Sequence, residues 1–208
     1  MLYYLCINIF ADKNDNEYWD KLLVESWDDL GRTWPNRCKE IQQITKTDDK
    51  ILDVGCGTGS ILRTLKSNGY LQLYGLEHSA VAVERLSAVG IHMKNGQLPN
   101  IAYDDNCFDV VIASEVLEHV LFHRKFIKEI MRVLRPGGVA LIYVPNCCMG
   151  PIDEPSHVRM YSGKSLDKLL KKYCNVISIT ETSERYFEAT FLCAKVTKYI
   201  EKEPVVGH

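Results

Sequence analysis

The decapeptide I-L-D-V-G-C-G-T-G-S at positions 51–60 constrains this chain more than any other stretch. Residues 51–54 form an apolar run that reads as a short buried strand, and glycines follow at 55, 57 and 59. Only glycine lets the backbone turn this tightly and pass this close to a ligand without steric cost. Residues 60–67 then read as a helix closed by Asn68-Gly69. The loop therefore brings backbone N–H groups to a helix N-terminus, where a polar or anionic ligand group is favoured. A strand, a glycine turn and a helix in this order point to an open α/β sheet and a nucleotide-type cofactor.

The alternation continues downstream. Residues 71–76 read as a second strand, 80–88 as a helix and 91–94 as a third strand. F-D-V-V-I-A at 108–113 is a continuous apolar and β-branched run, the pattern of a strand covered on both faces. A helix is expected over 122–134, stopped by Pro136-Gly137-Gly138, with a fifth strand over 139–144. Strands alternating with helices imply a parallel sheet with right-handed crossovers. The tail reads differently, as a helix over 165–173 and then strands over 176–182 and 188–196 that form a hairpin. Ahead of the sheet, the spacing of Trp19, Leu22, Leu23, Trp27 and Leu30, then of Trp34, Cys38 and Ile41, predicts two helices separated near 31–35. The expected fold is α/β: a Rossmann-like, seven-stranded, mostly parallel sheet with helices on both faces and a C-terminal antiparallel hairpin.

A chain of 208 residues can bury one full-sized core, and no stretch reads as a hinge between two. One domain is expected, with 1–45 as a helical cap, 46–145 as the cofactor-binding core and 146–208 as the substrate-side loop, helix and hairpin. A net charge of -2 provides no broad positive field for steering nucleic acid, so a nucleic-acid partner is not expected. The eight cysteines are scattered without C-x-x-C spacing, which reads as reduced thiols in the cytoplasm. M-L-Y-Y-L-C-I-N-I-F at the start is too short to span a bilayer and lacks the marks of a signal peptide. It is expected to pack on the core or on a second subunit, giving a monomer or homodimer with no membrane span.

Ser60 stands where a dinucleotide fingerprint places its third glycine or alanine, which argues against NAD. Asp53 precedes the turn. Glu77 ends the second strand at roughly the 20-residue offset from which an acid reaches a ribose hydroxyl pair. On these residues the chain resembles the class I S-adenosylmethionine-dependent methyltransferases, in particular the small-molecule group called type 11 or type 12, over 51–144. D-V-G-C-G-T-G matches that family's first motif residue by residue. The resemblance implies that Gly55, Gly57 and Gly59 lie against the methionine part of S-adenosylmethionine and that Glu77 holds the ribose. It extends the cofactor set to Asp53, Cys56, His78, Gln97, Leu98 and Ser114, and sets Arg37 where some members pair an arginine with the cofactor carboxylate. G-Q-L at 96–98 departs from the family's usual acid near the adenine, but Gln97 can still hydrogen-bond the adenine amine. Asp109, before the fourth strand's apolar run, reads as structural.

S-E-V-L-E-H-V at 114–120 leaves two readings open. If it is helical, Glu115, Glu118 and His119 share one face at i, i+3 and i+4. In the preferred reading no metal binds: the acids complement a helix dipole, and His119 or His157 takes a proton from the methyl acceptor. In the alternative, Glu115, Glu118, His119 and His157, the last from E-P-S-H-V-R-M-Y-S, hold Mg²⁺, Mn²⁺ or Zn²⁺. That arrangement resembles the metal-dependent 2'-O-methyltransferases of small RNA 3' ends and the ubiquinone-pathway O-methyltransferases. His92, His123 and His208 read as surface or structural. Tyr18, Trp19, Trp27 and Trp34, with 147–161, are material for a lid that selects the acceptor. The expected activity is O-methylation of a small metabolite. The rivals are a metal-dependent RNA 3'-end ribose methyltransferase and a non-catalytic cofactor-binding protein.

Overall fold

The computed structural model describes residues 16–25, 27, 33–146, 156–184 and 190–199. The apolar segment 1–10, Leu30, Cys147, Cys148 and His208 lie outside the described residues, as do the side chains of Tyr18 and Leu22. Strand β1 (Lys50–Val54) lies between β2 (Gln72–Glu77) and β4 (Phe108–Ser114), parallel to both. Successive side chains of a strand face opposite ways. Ile51, Val110 and Ile112 accordingly join one core, whereas Leu52, Val54, Val111 and Ala113 join the other. Helices α2 (Pro35–Ile44), α3 (Ser60–Ser67) and α4 (Ala80–Ala88) cover the first face through Cys38, Ile41, Leu62, Leu65 and Leu86. Helix α5 (His123–Val133) covers the second with Phe126, Ile127 and Ile130, and α6 (Gly163–Leu170) adds Leu166 and Leu170.

Strands β3 (His92–Asn95), β5 (Leu134–Pro145), β6 (Asn175–Ser183) and β7 (Thr190–Thr197) complete the seven-stranded sheet in the order β3-β2-β1-β4-β5-β7-β6. Only β7 runs antiparallel to its neighbours, so the expected hairpin closes an otherwise parallel sheet. Helix α1 (Asn16–Glu25) precedes the sheet region with α2, as the aromatic spacing predicts.

Two boundaries differ from expectation for physical reasons. Pro136-Gly137-Gly138 does not separate helix from strand but lies within β5. Leu134 already pairs with Phe108, and the next partners are Val139 and Val110, so the longer step on β5 is absorbed as a bulge around Gly137 (φ 78°). Helix α6 starts earlier than 165, because Ser162 accepts from the Ser165 amide while the Ser165 hydroxyl receives the Ser162 amide in a reciprocal cap. Among the described residues no helix is long and apolar enough to cross a membrane.

Candidate active site at the carboxyl ends of β1, β2 and β4

The glycine loop divides its labour. Gly55, Gly57 and Gly59 all have positive φ (68°, 54° and 69°), a backbone state costly for other residues. A Cβ on Gly59 would sit 2.4 Å from Leu86, so this glycine lets α3 and α4 pack closely. A Cβ on Gly57 would come no nearer than 3.4 Å to Leu23, and Gly57 lines the main cavity. Glu77 spans the loop: one oxygen accepts from the Gly57 amide at 2.9 Å, and the other from the His78 and Ser79 amides at 2.8 and 3.2 Å. The His78 Nδ1 lies 2.7 Å from that second oxygen. Burial works to raise the Glu77 pKa, but the His78 side chain and the backbone amides outweigh it and hold the carboxyl below its ordinary range. The same contact raises the His78 pKa against partial burial.

Asp53 presents the opposite balance. Its carboxyl is buried, Oδ1 has no hydrogen-bond partner, and burial followed by the Glu77 charge pushes its pKa up to about 8. It lines a smaller cavity of about 140 Å³ with Cys56, Ser60, Ser114 and Trp34. The main cavity, about 370 Å³, has Gly55, Gly57, Glu77, His78, Gly96, Gln97 and Leu98 on one wall. Glu115, Val116, His119, Val120, Leu121 and Phe122 form the other, with Trp19 and Leu23 of α1 alongside. Its size falls among small-molecule sites. A ligand-facing glycine and a buried acid beside the loop suit the polar end and ribose of a nucleoside cofactor.

The segment after β4 is not a helix. Glu115 takes φ 58°, His119 N–H closes a turn to the Val116 carbonyl at 3.0 Å, and α5 begins only at His123. The shared-face geometry expected for Glu115, Glu118 and His119 is therefore corrected. Glu115 turns to Arg37, whose Nη2 lies 3.0 Å from its carboxylate. Arg37 is fully buried, stacked 3.9 Å from the Trp34 ring and 4.4 Å from that of Phe191. Its Nη1 donates to the Ser114 hydroxyl at 2.5 Å, and its Nε lies 3.7 Å from Glu184. Glu184 also accepts the Asn36 and Arg37 amides at the start of α2. Arg37 lines neither cavity, so it stands behind Ser114 and Glu115. Burial raises the Glu115 pKa to about 7, and Arg37 opposes the rise.

Glu118 and His119 meet His157 instead. The ligating atoms of these three side chains all lie within 4.8 Å of one another. Residues 156–159 fold back onto 118–121 through Val158 N–H to the Glu118 carbonyl at 3.0 Å and a 3.0 Å contact between His119 Nδ1 and the Ser156 carbonyl. Arg159 completes the seam by donating to the carbonyls of Val120 and Leu121 at 2.6 and 2.8 Å. Sequence reasoning missed Arg159, Ser156 and Glu184. The one local signal was the basic residue two positions after His157, and it does not reveal its partners. The His119 ring also meets the Trp19 edge, with centroids 5.1 Å apart.

Residues 52–142 match the family described as "Methyltransferase domain". The chain is 34% identical over 116 residues to the probable tRNA methyltransferase 9B of Bos taurus, covering 54% of this chain and 25% of that one. It is 30% identical over 128 residues to a probable S-adenosylmethionine-dependent methyltransferase of Mycolicibacterium smegmatis, covering 58% and 49%. The chain thus spans at most about half the length of these curated relatives. In structure it is similar to a chain of the Haloferax volcanii complex between the Trm112 methyltransferase activator and a methyltransferase. The TM-score is 0.71 at 17% identity, over 92% of this chain and 99% of that one. The matched stretch runs from β1 into β5 and so contains the loop, Glu77 and both walls of the cavity, and what it matches over those residues is the methyltransferase domain.

Proposed function

We propose that this protein transfers the methyl group of S-adenosylmethionine to a hydroxyl oxygen of a small metabolite. The observation that carries the reading is one cavity with the Gly57–Glu77 cradle on one wall and His119 on the other. On this reading Asp53, Gly55, Cys56, Gly57, Glu77, His78, Gln97, Leu98 and Ser114 surround the cofactor. Gly59 and Arg37 act from behind, by packing and by fixing Ser114 and Glu115. When bound, the cofactor supplies an electrophilic methyl carbon on a sulfonium.

The chain's own residues do the rest. Trp19, Val116, Val120 and Phe122 exclude water and hold an apolar portion of the acceptor, and the wall residues set its oxygen in line with the methyl. As the oxygen–carbon bond forms and the sulfur–carbon bond breaks, the hydroxyl proton leaves toward the corner made by Glu118, His119 and His157. An imidazole there suits proton acceptance near neutral pH. The described cysteines are all free thiols, which supports a reducing, cytoplasmic setting.

The test is a radiolabelled methyl-transfer screen of the purified chain against phenolic, sugar and quinol hydroxyls, with bulk tRNA as a separate arm because of the relative named above. Label on a metabolite hydroxyl, lost in His119→Ala, supports the proposal. Label on tRNA alone overturns the acceptor assignment. S-adenosylhomocysteine binding without transfer to any acceptor supports a cofactor-binding protein instead.

A further inference from the structure

The chain carries a net charge of -2, yet the face made by α5 and α6 is basic. Arg124, Lys125 and Lys128 are exposed on α5, and Lys164, Lys168 and Lys172 on or just after α6. Arg124 and Lys128 stand at i, i+4, as do Lys164, Lys168 and Lys172, so each helix presents one basic stripe. The two helices cover the same core, and the Lys128 ammonium lies 5.8 Å from the centroid of the Tyr173 ring that follows α6. The acids of this face are already engaged, Glu129 by Arg132 and Asp167 by Lys171. Among the described residues no ion pair engages the six bases. Arg124, Lys125 and Lys164 also stand in first helical turns that hold no acid, where a positive charge opposes the helix dipole. This charge works against the chain's own stability, which points to an anionic partner.

An apolar rim adjoins the same face at the cavity mouth. Leu121 and Phe122 line the main cavity and yet are 54% and 64% exposed, so they stand at its edge. Met160, 40% exposed, follows Arg159, whose guanidinium is bound to the Val120 and Leu121 carbonyls. Helix α5 begins directly after Phe122 and α6 soon after Met160, so the rim lies at the starts of both basic stripes. A nucleic acid would engage the bases and stack on Phe122, but it gives Leu121 and Met160 nothing to bury against. An anionic lipid surface takes both parts, with apolar side chains below the headgroups and lysines and arginines among the phosphates.

We propose that this face docks the protein on an anionic membrane surface, with Leu121, Phe122 and Met160 entering the boundary between headgroups and acyl chains. Arg124, Lys125 and Lys164 then lie among the lipid phosphates. Lys128, Lys168 and Lys172 follow roughly 10 Å further along the helices, about one Debye length, and add attraction without touching. In this orientation the cavity opens onto the bilayer. Its acceptor is therefore a hydroxyl on a lipid-soluble molecule, which passes from the membrane to the cavity over the apolar rim. That acceptor class rests on the methyl-transfer reading, whereas the docking does not.

The experiment is co-sedimentation of the full chain with phosphatidylcholine vesicles, with and without about a third phosphatidylglycerol. Bulk tRNA and S-adenosylhomocysteine are titrated separately. Expected are binding to the anionic vesicles at least about tenfold tighter than to the neutral ones, and weaker binding as salt rises. Lys164→Glu with Lys168→Glu should cost at least about tenfold in vesicle affinity and leave S-adenosylhomocysteine affinity within about threefold. Phe122→Ser should cost about tenfold in vesicle affinity and leave the salt dependence in place. The substituted side chains are exposed, so the variants should fold, and the S-adenosylhomocysteine titration checks this for the charge reversals. No binding to anionic vesicles, or binding that survives either the charge reversals or Phe122→Ser, overturns the docking. Binding of tRNA without binding of vesicles overturns it in favour of a nucleic-acid surface. A phenol bearing a long alkyl chain in the anionic vesicles should be methylated at least about tenfold faster than its chain-free headgroup in solution, and equal rates overturn the membrane-borne acceptor. Vesicle binding with no S-adenosylhomocysteine binding leaves the docking standing and overturns the methyl-transfer reading.

Discussion

The two walls of the cavity are built on opposite principles. On the cofactor wall, Glu77 receives three backbone amides and an imidazole, and the loop that donates one of them is held by the strands beneath it. On the acceptor wall, Glu118 has no hydrogen-bond partner for its carboxylate, and the fold holds two histidines against it. On the first wall the Glu77 carboxylate is satisfied before a ligand arrives. The second is organised around a buried carboxyl that no hydrogen bond satisfies. A satisfied site binds one ligand with little reorganisation, whereas an unsatisfied one gives up stability for chemistry.

The sharpest way to break this contrast is Gly57→Arg. The residue would have to hold φ near 54° and project a long side chain into the cradle. S-adenosylhomocysteine affinity is expected to fall more than about a hundredfold, read by calorimetry. If affinity is unchanged, the glycine cradle does not hold the cofactor. His119→Ala is the converse: turnover on the best acceptor falls by about a hundredfold and S-adenosylhomocysteine affinity stays within about threefold. Loss of cofactor affinity in that variant would move His119 to the cofactor side.

Glu77→Gln tests the first wall from within. The amide keeps the shape but loses a charged acceptor shared by Gly57, His78 and Ser79, so cofactor affinity should fall about thirtyfold, close to 2 kcal/mol. The His78 pKa, raised by this carboxylate, should return toward its ordinary value, which NMR titration of the ring would follow.

The contact between Gly57 and Glu77 on one wall was legible in the sequence and the geometry of the other wall only in part, and chain distance explains why. The ends of α3 and α4 were readable because glycine and Asn68-Gly69 stop signals act on adjacent residues. Glu77 meets Gly57 across 20 positions, a spacing that strand, turn and helix impose on any such unit. Arg37 is caged by Trp34 at the cap of its own helix and by Tyr143 and Phe191, which arrive from β5 and β7, and its contact with Glu115 leaves no mark on E-V-L-E-H. Glu115, the residue that meets Arg37, is also the one that takes φ 58° in a segment with helical spacing. His157 was visible as a candidate, but the seam that brings it home depends on Arg159 reaching carbonyls 38 and 39 positions away.

The smallest expected effect concerns Asp53, whose Oδ1 has no hydrogen-bond partner in the smaller cavity beside that wall. Burial and the Glu77 charge raise its pKa from 3.8 to about 8 in the folded chain. Between those values the folded state holds a proton that the unfolded state has released, so stability is highest below pH 4 on this account and declines as pH rises through about 8. One such proton contributes a slope of at most about 1.4 kcal/mol per pH unit, and relaxation around the buried group should reduce it to about 1. Urea unfolding at pH 6 and pH 7 should therefore show wild type losing about 1 kcal/mol more than Asp53→Asn, a difference of slopes that cancels any constant penalty from the substitution. On the proposed placement the ammonium of bound S-adenosylhomocysteine lies beside Asp53 and lowers its pKa, so saturation should flatten the wild-type slope toward that of the variant. A slope that survives saturation would place the cofactor's positive end away from Asp53 and make this carboxyl a structural cost of the fold, leaving Glu77 as the acid on that wall that answers to the ligand.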